Sequence, residues 1–181
     1  MLKNTENSYG TIAKLLHWII AAMIITLLSV GYYMTDLPNS PDKFKIYDYH
    51  KITGFTVLVL MIIRLVWRLC NQVPKDLDNI PHWQRIAADL NIKVLYFLGI
   101  AMPLSGILMT LYGGRSIDLL GLFTIKAFET NKKLSSLAWE FHEAFAVLLI
   151  ALISLHILAA LYHHFIRKDN IFKKMLWGSK T

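Results

Sequence analysis

Four apolar stretches divide this chain, and each approaches or exceeds the length that crosses a lipid bilayer. They run Leu15–Met34, Ile52–Leu69, Ile92–Tyr112 and Ala144–Ile166. A hydrocarbon layer of about 30 Å takes about 20 residues of helix to span. The second stretch is short and holds Arg64, so its reading as a span leans on the other three. A soluble bundle of 181 residues has no room to bury four apolar helices on every side. Composition agrees, with 55% hydrophobic and 17% charged residues and a mean hydropathy of +0.45. The expectation is an all-α fold. It is one integral membrane domain over residues 1–181, a four-helix bundle with spans at about 15–34, 50–69, 92–112 and 142–166. The first stretch carries His17 and Trp18 at its start and no small-residue cleavage pattern after it, so it reads as a retained helix.

Charge sets the expected orientation. With four spans, both termini and the central loop share one side. That side holds twelve Lys and Arg against five Asp and Glu, and the other side holds seven against seven. Basic residues stay in the cytoplasm, so both termini are expected there. The excess of positive charge is then a topology signal, and no nucleic-acid partner is expected. A bilayer is the expected environment, and the basic tail 167–181 is expected on its anionic inner surface.

Between the spans, residues 35–49, 71–86 and 113–139 read as loops. The last is long enough to carry some helix of its own. Ser135 or Ser136 is the expected cap of the fourth helix. His82, in the second loop, reads as a surface residue. Cys70 is the only cysteine, which excludes an internal disulfide, a cysteine-rich cluster and the covalent attachment of c-type haem.

Four histidines lie in or beside the apolar stretches: His17, His50, His142 and His156. His142 and His156 are 14 residues apart on one segment. That step is nearly four helical turns, so both rings leave one helix face about 21 Å apart. Ionisable side chains within a membrane mark function by default. In an up-and-down bundle His17 and His156 lie near the cytoplasmic side, and His50 and His142 near the outer side. Depth therefore pairs His50 with His142 and His17 with His156. The same step from His17 reaches Gly31, and from His50 it reaches Arg64. Gly31 would let a flat ring lie against backbone, and Gly54 would clear space beside His50. Arg64 fits either a haem propionate partner or a side chain reaching for lipid phosphates.

Zinc wants four clustered ligands, which two separated pairs do not supply. Axial ligation of haem wants one histidine from each side of a macrocycle, which facing helices provide. Two b-type haems are the expected cofactors, with iron held by His17, His50, His142 and His156. Histidines bonded between helices without metal, and histidines moving protons, are the competing readings. His163 and His164 end the fourth span. A quinone carbonyl wants a donor and quinone reduction consumes protons, so they are candidate quinone ligands; contact with lipid headgroups is the alternative.

In these residues the chain resembles the bacterial cytochrome b561 family, which includes the b-type subunits of nickel hydrogenases. The resemblance rests on His17-Trp18, His50-Lys-Ile-Thr-Gly54, Arg64-Leu-Val-Trp-Arg68, Trp139-Glu-Phe-His142-Glu143, Leu155-His156, His163-His164 and Lys168-Asp169-Asn170. No one of these motifs is specific; their order and spacing together are. The resemblance implies a two-haem protein of the bacterial inner membrane, and is strongest to the branch that oxidises superoxide outside and reduces ubiquinone. It implies His50 and His142 at an outer haem, His17 and His156 at an inner one, and His163 at the quinone. For a superoxide anion the candidate steering patches are Lys43, Lys45 and Lys51, and Lys126, Lys132 and Lys133. The alternative function is an electron-carrying cytochrome between quinol and a redox protein such as a dehydrogenase or hydrogenase, docked on residues 113–139.

Overall fold

Four long helices run in alternating directions: α1 Thr11–Thr35, α2 Pro41–Cys70, α3 His82–Tyr112 and α4 Lys132–Leu161. Each is long and apolar enough to cross a membrane. The computed structural model describes residues 1–75 and 80–177. Asp76, Asp78 and Lys180 of the charge count lie outside the described residues.

The helices reach beyond their apolar cores, and local chemistry explains where they begin. Residues 41–49 were expected in a loop but form the start of α2. Pro41 occupies the first turn, where its missing N–H costs nothing, and Ser40 Oγ accepts from the Lys43 amide. His82, expected in a loop, is the first residue of α3 after Pro81. The fourth helix begins at Lys132, and its cap is Asn131 rather than Ser135 or Ser136. Asn131 Oδ1 accepts from the Leu134 amide, while Ser135 lies inside the helix and donates to the Met109 carbonyl. The long loop after α3 carries no helix among its described residues before Lys132. It forms a hairpin instead, β1 Ile117–Leu119 paired antiparallel with β2 Phe123–Ile125.

The packing is uneven. α3 packs closely on α4 and α2, and α1 on α2, whereas α4 stands off from α1 and α2. A core of Ile20, Leu27, Val57 and Met61 joins α1 to α2, with Tyr96 and Ile100 of α3 against it. Gly99 of α3 lets the Met61 methyl press against the helix backbone. Large apolar side chains cover the outside, among them Val147 and Leu158 of α4, as expected of helices solvated by lipid.

Both termini gather at one end. Lys14 Nζ donates to the Leu176 carbonyl at 2.6 Å and Trp18 Nε1 to that of Met175 at 3.0 Å. Asn4 Nδ2 donates to the Gln72 carbonyl, and Lys75 pairs with Glu6. Three separate segments therefore tie off this terminal end of the bundle.

Candidate functional site

The gap beside α4 is spanned by two pairs of histidines. The rings of His50 on α2 and His142 on α4 have centroids 6.4 Å apart. Those of His17 on α1 and His156 on α4 lie 6.3 Å apart. One pair sits towards the hairpin end and the other towards the terminal end. Both couples are those that depth alone pairs in the sequence.

The hairpin-end pair faces a cavity lined by Ile24, Gly54, Gly106 and Ile117 besides the two histidines. Open space lies beside Gly54. Gly31 touches the site differently from the expectation: a Cβ there would lie 3.3 Å from His50 Cε1, so it clears the imidazole itself. Gly106, which the sequence shows only as a small residue on the face shared with Gly99, has a sharper role. A Cβ on Gly106 would meet His142 at 3.0 Å.

The histidines differ in their second partners. His142 Nδ1 lies 3.0 Å from the Met102 carbonyl and 3.1 Å from Ser105 Oγ, which itself donates to that carbonyl at 2.7 Å. A carbonyl only accepts, so Nδ1 carries the proton and Nε2 keeps its lone pair. That is the usual dress of a metal-binding imidazole. His50 Nδ1 is buried with no partner. His17 Nδ1 instead faces a cation, with Arg64 Nη2 at 3.3 Å. Arg64 Nη1 donates to the Ala13 carbonyl at 2.8 Å, and the guanidinium lies over the Tyr96 ring. The sequence placed Arg64 at this level; the structure puts it against a histidine.

His163 and His164 lie beyond the terminal-end pair and are separated in role. Residues Tyr162–Arg167 form a π-helical turn, a form that recurs at functional sites. Lys168 follows in the left-handed conformation with φ 54°, and the Asp169 amide returns to the His163 carbonyl. This reversal brings the Asp169 carboxylate 2.6 Å from His163 Nδ1. His164 Nδ1 is buried without a partner, and its ring lies beside Phe165 and Phe172.

The sequence profile described as prokaryotic cytochrome b561 matches residues 8–178. The chain belongs to the prokaryotic cytochrome b561 family. It is 29% identical over 180 residues to cytochrome b561 homolog 2 of Escherichia coli K12, covering 98% of this chain and 96% of that one. Cytochrome b561 homolog 1 of the same organism is 31% identical over 172 residues, covering 94% and 97%. A Yersinia pestis protein named probable superoxide oxidase is 28% identical over 181 residues, covering 94% and 97%. As a member of this family the chain is a multi-pass bacterial membrane protein that carries electrons, and membership implies b-type haem.

The residues present fit that group. A metal–imidazole bond is about 2 Å and the ring centre lies about 1 Å further, so two imidazoles on opposite sides of one metal have centroids about 6 Å apart. Both pairs have this separation. Among the described residues no three of His, Cys, Asp and Glu gather as a tetrahedral metal site would need. The buried, unpartnered Nδ1 of His50 and the tautomer imposed on His142 complete the fit at the hairpin end.

Proposed function

We propose that the chain is a dihaem cytochrome b that takes electrons from superoxide on the outer face and delivers them to ubiquinone at the other. The observation that carries this reading is the matched spacing of two imidazole pairs at opposite ends of one bundle. His50 and His142 hold the outer haem, and His17 and His156 the inner one. When bound, the haems supply one-electron redox chemistry at two depths. The reaction balances as two superoxide, one quinone and two protons giving two dioxygen and one quinol. The terminal end, with both termini, is cytoplasmic in this reading, and the membrane is the bacterial inner membrane.

The chain's own residues then divide the work. Met102 and Ser105 fix the His142 ring and its tautomer. Gly54 leaves open space for a macrocycle beside the outer pair, and Gly106 leaves room for the His142 ring. Arg64, at inner-haem level, is the propionate partner or the cation beside the ligand. At the inner end His163 faces a quinone carbonyl, and Asp169 orients the ring and balances the charge it gains on taking up a proton. His164, set among aromatic rings, is a second contact for the quinone. At the outer end Lys45 and Lys51 are matched by Asp42 and Asp48. Steering of the superoxide anion therefore falls to Lys43, whose ammonium rests on the neutral carbonyls of Thr35 and Leu37, and to Lys126, Lys132 and Lys133.

A second reading, an electron carrier serving a redox protein, is favoured by one feature. The hairpin turn presents Leu120, Leu122 and Phe123 to the outside, with Leu122 89% exposed, an apolar tip suited to a partner. Rapid mixing with superoxide at low salt separates the two. The proposal expects fast reduction in the haem spectrum and reoxidation on adding quinone. An unchanged spectrum sinks it and leaves the carrier.

A further inference from the structure

We propose that Arg64 orders the two haem potentials, holding the haem at His17 and His156 above the haem at His50 and His142. The inference rests on the two-haem reading. It begins from an asymmetry between two otherwise matched pairs.

At the inner pair the guanidinium stands 3.3 Å from the ring nitrogen of one ligand. It is held there by the Ala13 carbonyl and the face of Tyr96, both uncharged. Arginine does not lose its proton in proteins, so the charge is permanent. Among the described residues no Asp or Glu pairs with Arg64. The acids at this end are engaged elsewhere, Glu6 with Lys75 and Asp169 with His163 and Arg167, and the nearest cations add to the same sign. Arg68 lies over the same tyrosine, and Lys14 is buried with its ammonium on the Leu176 carbonyl.

The outer pair is built the other way. Lys51 lines its cavity, but the ammonium is matched by Asp48 at 2.7 Å. His142 passes its Nδ1 proton towards a carbonyl, which makes the imidazole a stronger electron donor. Glu140 and Glu143 flank it in sequence and are exposed.

Reducing a haem adds one negative charge to its site. A fixed cation within a few ångström favours that change, and more so where little water screens it. A more basic axial imidazole favours the oxidised iron. Both differences act in one direction, raising the inner potential and lowering the outer. Electrons entering at the outer pair therefore settle at the inner one, next to His163 and Asp169. Arg64 is in this sense a positioning residue: it acts on the iron through the field of its charge.

Potentiometry of the purified holoprotein, followed in the haem spectrum, tests this once haem per chain has been counted. The wild type is expected to reduce in two steps. His142→Ala is expected to keep the upper step; if it keeps the lower one, the order is reversed and the proposal falls. Arg64→Gln removes the charge and is expected to bring the upper step down towards the lower, which stays in place. An unmoved upper step in a two-haem Arg64→Gln protein overturns the proposal. If that variant holds a single haem, Arg64→Lys carries the test. Lysine keeps the charge without the fork, so the upper step is expected to stay near its wild-type place, and a fall towards the lower step contradicts control by charge. Fewer than two haems in the wild type refutes the two-haem reading itself.

Discussion

At the scale of single residues, small atoms decide where the paired histidines stand. A Cβ on Gly106 would stand 3.0 Å from His142, tight enough that the ring would have to give way. Gly106→Leu is expected to push that ring aside and lower bound haem from two equivalents per chain to one, with helix content by circular dichroism unchanged. Asp169 acts on a different ring. Asp169→Asn keeps the shape beside His163 but removes the charge that balances an imidazolium. Quinone reduction is expected to fall by about tenfold or more, since a positioned proton donor contributes at least that much. Haem per chain stays constant, so haem-normalised turnover is the measurement. The histidine pairs were legible in the sequence because depth in an up-and-down bundle follows from position along each span. The partners of His142 were not. Met102 offers a backbone carbonyl, which leaves no mark on residue type. Asp169 lies six residues from His163, a spacing that no regular α-helix face brings together. Only the π turn and the left-handed Lys168 do so.

At the scale of elements, boundaries follow caps more than hydropathy. Ser40 with Pro41 starts α2 in polar sequence, and Asn131 starts α4. Ser40→Ala is expected to cost about 1 kcal/mol, seen as a lower melting temperature in detergent. The apolar stretches marked what lipid must solvate, so they located the spans and missed their polar ends. The hairpin was illegible for a different reason. Its turn places Leu120 at φ 59° before Gly121, and leucine is not a residue that announces such a turn. At the end of α4, Lys168 is held at φ 54°, where glycine would be easier. Lys168→Gly is expected to preserve the His163–Asp169 pair and raise stability by about 1 kcal/mol in thermal unfolding.

At the scale of the whole molecule, the tied-off terminal end makes the two ends of the bundle unlike. Its orientation is testable by labelling. In a Cys70→Ser background, Lys126→Cys is expected to react with a membrane-impermeant maleimide in spheroplasts, and Lys174→Cys only after the membrane is opened. The all-α class was legible because four apolar spans leave lipid-exposed backbone no other way to satisfy itself. The stand-off of α4, which makes room between the paired rings, is a matter of packing and was not. The central claim is that these rings hold two haems. Haem counted per chain in the purified protein and in His142→Ala tests it most directly. Two b-type haems in the wild type and one in the variant are predicted. A single haem in the wild type, or two retained in the variant, contradicts the account.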